Sequence, residues 1–229
     1  MRNKQSGFTL VEIAIVLVII GLLLGGVLKG QELINSAKIK NVVSDFTSTT
    51  AAIYGYQDRY KALPGDDRGT AARWPVATGF VATWVGNGDG VLNDGAAPPV
   101  MCVFNTAAAD ECNYFWAGLR QAGFITGALN AGPPANAYGG VVGVQNGGDA
   151  LMTAGAGTGF SGAIICQSNI PDKTATAIDN QLDDGRPTTG SIRALLQANA
   201  TTAAAVSNVA ASATYIETGT NFYTVCKAL

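Results

Sequence analysis

Histidine is absent from all 229 positions of this chain. That absence excludes Ser-His-Asp and Cys-His nucleophiles and every histidine-containing metal site. Charge is scarce too, at 13% of residues with a formal net charge of -2, which leaves no basic footprint for nucleic acid. Cysteine is held to four positions, Cys102, Cys112, Cys166 and Cys226, and no two stand at CxxC spacing. A zinc knuckle or a thioredoxin-like redox site is therefore not expected. No proline precedes Pro64, so nothing of that kind breaks a helix before it. With no acid–base or nucleophile constellation left, the reading is a non-enzymatic protein without a cofactor.

Glycine is plentiful instead, at 29 residues. Together with the low charge, this fits a loop-rich β or α+β domain that covers part of its surface with copies of itself. A weakly charged secreted domain fits the composition equally well. The most informative stretch is N-terminal. Arg2 and Lys4 sit in a short polar leader ending at Gly7, and residues 8–28 are then apolar except for Glu12. A helix of about 20 apolar residues spans a hydrocarbon core of ~30 Å. A cleaved secretory signal has a shorter apolar run and a small-x-small exit. Here both are missing, so the segment is expected to stay as a single-pass membrane helix. The cations before it put the N-terminus on the cytoplasmic side and the remainder outside the cytoplasm.

Gly7-Phe8-Thr9-Leu10-Val11-Glu12 resembles the cleavage and methylation signature of type IV prepilins and of the related type II secretion pseudopilins. The resemblance implies that a prepilin peptidase removes residues 1–7, cutting between Gly7 and Phe8, and that Phe8 becomes N-methylated. It implies that Glu12 is the carboxylate that meets the Phe8 amine of a neighbouring subunit during assembly. A carboxylate in hydrocarbon costs several kcal/mol unless paired or protonated. The plainer reading of Glu12 is a residue at headgroup level. The implied protein is a structural filament subunit, held in membrane lipid and then moved into a cell-surface or periplasmic filament of identical copies. The implied partners are an inner-membrane assembly platform and a cytoplasmic ATPase. A type II secretion pseudopilin, a minor pilin or a tip adhesin with a ligand-binding domain carries the same leader. One feature departs from the family: many pilins have a proline near the end of the apolar run. Here Gly21, Gly25, Gly26 and Gly30 are the only breakers, each weakening a helix by roughly 0.8–1 kcal/mol relative to Ala. They either loosen the helix or allow close helix packing.

The implied fold is α+β and pilin-like, with one long N-terminal helix packed on a loop-rich antiparallel β domain. Its parts are the leader (1–7), the membrane or filament-core helix (8–28), an amphipathic half (29–62) and a globular domain (63–229). In the amphipathic half, Leu33, Ala37, Val43, Phe46, Thr50, Ile53, Tyr56 and Tyr60 recur at threes and fours. A coiled-coil dimer is the alternative for that stripe. One continuous helix is expected from about Thr9 to Tyr60, with Leu63-Pro64-Gly65-Asp66 as the stretch that ends it. Residues 67–99 read as loop, with Gly86-Asn87-Gly88-Asp89-Gly90 as a tight turn. An EF-hand register there would put Val85 first and Ala96 twelfth, and neither is a ligand.

Further on, residues 110–122 read as a helix capped by Asp110 and closed by Gly123. Pro171 should start a second helix over residues 171–182. Strands are expected at 141–144, 164–166, 192–196 and 222–225, and residues 197–214 as an exposed loop holding the sequon Asn199-Ala200-Thr201. In an oxidising compartment the favoured disulfides are Cys102–Cys112 and Cys166–Cys226, with buried thiols as the alternative. Asp179, Asp183 and Asp184 are weak metal candidates: they could hold a hard cation, or form a helix end and an Asp-Gly turn bonded to their own backbone.

Overall fold

Without a proline to stop it, the N-terminal region forms one helix. In the computed structural model this helix, α1, runs over Leu10–Tyr60, 51 residues, or about 75 Å at 1.5 Å per residue. The structure describes residues 9–74, 84–92, 111–148, 151, 159–197 and 210–229. The chain divides into two compact units, Met1–Lys40 and Asn41–Leu229.

In the second unit, α1 buries Val42, Phe46, Thr49, Ala52, Ile53 and Tyr56. The stripe expected from the sequence lies one residue off at two points. Val42 and Thr49 are inside, while Val43 and Thr50 are only half-buried and Leu33 is exposed. Around Phe46, positions 42 and 43 flank the same helical face, as do 49 and 50, so spacing alone does not separate them. A partner does: the Gln167 side-chain Nε2 donates to the Val42 carbonyl at 2.9 Å. The helix ends at Tyr60, where the sequence placed its end. Lys61 takes φ 56°, and its N–H closes the last turn on the Gln57 carbonyl at 2.8 Å, the left-handed form of C-terminal cap.

After a one-turn helix, α2 (Thr70–Arg73), that the loop expectation missed, come α3 (Glu111–Gln121), β1 (Val142–Asn146), β2 (Ala163–Pro171), α4 (Asp172–Leu182), β3 (Ile192–Leu196) and β4 (Phe222–Ala228). The strands form one fully antiparallel sheet in the order β1-β2-β4-β3. Helix α3 packs on β1, and α4 on β2, β3 and β4. Phe115, Trp116 and Leu119 supply the buried face of α3. Gly123 (φ 80°) ends it in a Schellman turn, with Phe124 N–H on the Leu119 carbonyl and Gly123 N–H on that of Arg120. Asp110, the expected cap, lies outside the described residues.

Several boundaries move. β1 includes Gln145 and Asn146, polar residues beyond the strand expected at 141–144. Both are buried and bonded, Gln145 to the Asn146 carbonyl and Asn146 to the Gly148 N–H. Pro171 closes β2 rather than opening α4, because its ψ of 148° keeps it extended at the N-cap position. β2 stays paired beyond Cys166 because a bulge absorbs a register shift between Gln167 and Ile170. Asn169 sits in that bulge at φ 61°, a conformation asparagine tolerates better than most residues. Gln197 and Ser212 do not lie in an exposed loop. Gln197 is buried and accepts from Asn169 N–H at 2.6 Å. Ser212 borders β3, donating its N–H to Ala194 O and accepting from Leu196 N–H. The sequon lies outside the described residues.

Two devices lock this unit. Cys166 and Cys226 face each other across the central strands and are joined by a disulfide, Cα to Cα 4.0 Å, within a buried cluster with Leu151, Phe160 and Ile164. Cys112 is also disulfide-bonded; its expected partner Cys102 lies outside the described residues. The second device is the Asp67 carboxylate, which accepts from Tyr56 Oη at 2.8 Å, Arg73 Nη1 at 2.7 Å and Gly69 N–H at 2.7 Å. The Arg73 guanidinium in turn lies 4.2 Å from the Tyr60 ring centroid. Burial pushes Asp67 up, but these donors outweigh it and hold its pKa below the ordinary carboxylate value. Burial, then the neighbouring carboxylate, pushes Tyr56 well above the usual phenol range.

The Cys166–Cys226 bond closes a loop of sequence separation 60, so replacing both residues with Ala should cost about 2–4 kcal/mol. Equilibrium denaturation of the double variant checks this, and an unchanged midpoint would refute it. Asp67→Asn should destabilise the fold by about 3 kcal/mol at neutral pH, since it removes the negative charge that pairs with Arg73 and replaces one accepting oxygen with a donating NH2. Because the folded pKa of Asp67 is depressed, its contribution is present above the unfolded value of about 4 and is lost as pH falls through the folded one. The stability gap between wild type and Asp67→Asn should therefore close in acid. A gap that stays constant down to the acid transition would contradict this assignment.

Candidate functional site

The first turn of α1 is built by a Thr-x-x-Glu pattern. Thr9 stands just before Leu10, and the Glu12 carboxylate reaches back to it: Oε2 accepts from Thr9 N–H and from Thr9 Oγ1–H, both at 2.8 Å. The Glu12 N–H points to Thr9 Oγ1 at 3.3 Å. This is a capping box, which satisfies N–H groups that a helix start otherwise leaves without acceptors. Both contacts use Oε2, so Oε1 carries no hydrogen bond among the described residues.

Beyond this turn the helix is apolar on every side and covered on none. Each residue from 10 to 28 is exposed, including Leu10 at 91% and Leu22 at 74%. A helix apolar all round needs a membrane or a core of other helices to cover it. The segment is long and apolar enough to cross a bilayer. A methyl group added at Gly21, Gly25, Gly26 or Gly30 would meet nothing within 4 Å among the described residues. Lys29 and Glu32 pair at 2.7 Å where charged residues resume, both largely exposed, an arrangement of little energetic weight.

Gly7 and Phe8 lie outside the described residues, so of the three residues assigned to processing and assembly only Glu12 is placed. The sequence reading missed Thr9. Its signal was present, since Thr or Ser three residues before Glu at the head of an apolar run is the signature of a capped helix start.

Two groups of carboxylates bring ligand-type oxygens within 4.8 Å of one another. One is Asp179, Asp183 and Asp184, at the end of α4. Asp179 accepts from Tyr215 Oη at 2.6 Å and Gly185 N–H at 3.1 Å. Asp183 accepts from Ile192 N–H at 2.8 Å, and Asp184 from Arg186 N–H at 2.9 Å and Thr189 Oγ1 at 2.5 Å. Hydrogen bonds of the turn account for their geometry. Burial pushes Asp179 up, against the bonds from Tyr215 and Gly185, with Asp184 and Asp183 adding to the rise.

The other group, Asp66, Asp89 and Glu111, was missed because its members are far apart in sequence. Asp66 is buried, and its two oxygens take the N–H groups of Gly88, Asp89 and Gly90. Glu111 takes that of Asn87 at 2.9 Å. The glycine-rich string at 86–90 is thus a turn wrapped around a carboxylate. A side chain at Gly86 would overlap the Asp66 backbone. Burial raises the Asp66 pKa despite its donors. In both groups the carboxylate oxygens already accept backbone N–H groups of the adjoining loops, as in a clamp.

Residues 2–28 match the family model of the prokaryotic N-terminal methylation motif. No curated protein matches the chain. The motif implies processing by a prepilin peptidase and entry into pilus or secretion machinery, and it suggests a structural rather than catalytic protein. A long N-terminal helix followed by a four-stranded antiparallel sheet is the α+β arrangement of a pilin-like fold. The methylation motif and the uncovered apolar helix it opens support membership of the type IV pilin and pseudopilin family, in a protein fitted for anchorage in the inner membrane.

Proposed function

We propose that this chain is a structural subunit of a type IV pilus-like filament, stored in the inner membrane and assembled by helix packing once residues 1–7 are removed. The observation that carries this reading is the uncovered apolar surface of α1 from residue 10 to 28, within the stretch that matches the methylation motif. Lipid covers that surface in the membrane, and the same segments of other copies cover it in the filament core. The globular unit, with its disulfide and clamped loops, forms the outer layer.

Glu12 guides the transfer. Thr9 holds Oε2 and fixes the carboxylate at the helix start. Cleavage after Gly7 creates an amine on Phe8, and Oε1 is the oxygen left to receive that amine from a neighbouring copy. The local bonds to Thr9 supply donors while the subunit waits in lipid. The pairing with a neighbour adds the opposite charge that a desolvated carboxylate needs.

N-terminal mass spectrometry of assembled material should show methylated Phe8, and Gly7→Glu should leave uncut precursor in the membrane. An intact Met1 on assembled subunits would sink the assignment. Glu12→Ala should be processed and inserted normally yet form few or no filaments by itself. Thr9→Ala removes one donor to Glu12 but keeps the carboxylate, so it should still assemble. Abundant homogeneous Glu12→Ala filaments in electron micrographs, or an equal defect in both variants, would overturn the pairing role.

A further inference from the structure

On the second unit, Asn41, Ser44 and Asp45 stand at i, i+3 and i+4 on one face of α1. They line a recess of about 320 Å³ whose other wall is the loop at Ala135, Asn136 and Ala137. That wall is fixed from within: Asn136 is buried, its Nδ2 donates to the Ser168 carbonyl at 2.8 Å, and its Oδ1 accepts from Tyr138 and Gly140 N–H at 3.0 Å. The helix wall differs. None of the three side chains there has a hydrogen bond or ion pair among the described residues, although Asp45 is half-buried. Burial alone pushes its carboxyl above the ordinary value. Elsewhere in this unit the buried carboxylates are supplied with donors, so an undersupplied one in a recess marks a contact that the single chain leaves incomplete.

A single anion flanked by an amide and a hydroxyl suits a cationic group. The described arginines are already engaged within their own chain: Arg59 over Tyr60, Arg68 on Asn87 O, Arg73 on Asp67, Arg120 on Gly132 O, Arg186 beside Asp184 and Arg193 on Leu151 O. Lys29 and Lys61 have carboxylate partners. Lys40 and Lys173 are exposed and have neither an ion pair nor a side-chain hydrogen bond. Among the described residues, Asp45 is thus a half-buried anion without a partner, and Lys40 and Lys173 are exposed ammonium groups without one. We propose that the recess at Asn41, Ser44 and Asp45 receives the ammonium of Lys40 or Lys173 from a second copy of this chain. The contact rests on the filament reading and adds to it a polar subunit interface on the globular unit, apart from the apolar helix. Charge placed this way sets which neighbouring orientation is accepted, because a wrong orientation leaves the carboxylate desolvated without a partner.

Filaments assembled from equal amounts of 15N-labelled and unlabelled subunits, treated with a carbodiimide, test this. The reagent joins a carboxylate to an amine only where the two touch. An amide between Asp45 and Lys40 or Lys173 that bridges a labelled and an unlabelled peptide is expected. Asp45→Asn should abolish the link and lower filament yield about tenfold, the effect of losing one partner of a partly desolvated pair, with the thermal midpoint of the isolated protein unchanged. Asp45→Lys should lower the yield further. Links from Asp45 confined to single copies, or Asp45→Asn filaments in wild-type number, would overturn the contact while leaving the filament reading intact. A wild-type preparation that forms no filaments at all would overturn the filament reading, and the contact with it.

Discussion

A carboxylate taken out of water must be given hydrogen-bond donors, and in this protein the donors come largely from the backbone of glycine-containing loops. Asp66 holds the N–H groups of Gly88 and Gly90, Asp67 that of Gly69, Asp172 that of Gly219 and Asp179 that of Gly185. Glu111 holds Asn87 in the same manner. All five acids are buried. A domain with much glycine loses more backbone entropy on ordering than most. These clamps offset part of that loss by converting mobile loops into walls around a fixed anion. They also explain how a chain with so little charge uses it: a large share of its carboxylates face inward.

The same helix meets two opposite demands. From Val42 onward α1 is an ordinary amphipathic helix with one buried stripe, held by the Tyr56–Asp67–Arg73 bonds and by Gln167. Over residues 10–28 it has no polar face, and each of those residues is exposed. Continuity of backbone hydrogen bonding lets one element serve both, because a helix satisfies its peptide groups internally in lipid and in water alike. Only its start needs outside help, and Thr9 with Glu12 provides it. Glu12, to which we assign a role in assembly, thus also has a local duty. The two are compatible because the local bonds use one carboxylate oxygen.

In the proposed filament, stability and assembly draw on largely different residues, Glu12 excepted. The disulfide, the bulge at Asn169 and the carboxylate clamps hold the second unit together without drawing on the apolar helix. That division lets a subunit sit folded in a membrane before any partner arrives. It also leaves incompletely satisfied groups, such as Asp45, available for contacts between copies.

The sequence by itself determined the long helix, its apolar first half, the methylation signature and the α+β class. Each of these rests on local composition or on periodicity, which a single chain displays directly. Strand cores such as Ile164 to Cys166 were readable for the same reason, as was the closure of α3 at Gly123. Tertiary structure alone decided the rest. Which of Val42 and Val43 turns inward depends on Gln167, 125 residues away from Val42. The length of β2 depends on a bulge that only its pairing with β4 reveals. Gln197 read as exposed loop because polar side chains favour water, and it is buried because Asn169, 28 residues away, donates to it; Gln145 and Asn146 are buried too, bonded to backbone groups one and two residues along the chain. The acidic group at Asp66, Asp89 and Glu111 was invisible for a related reason: hydrogen bonds between residues far apart in sequence leave no periodic trace, and only the folded chain brings donor and acceptor within 3 Å.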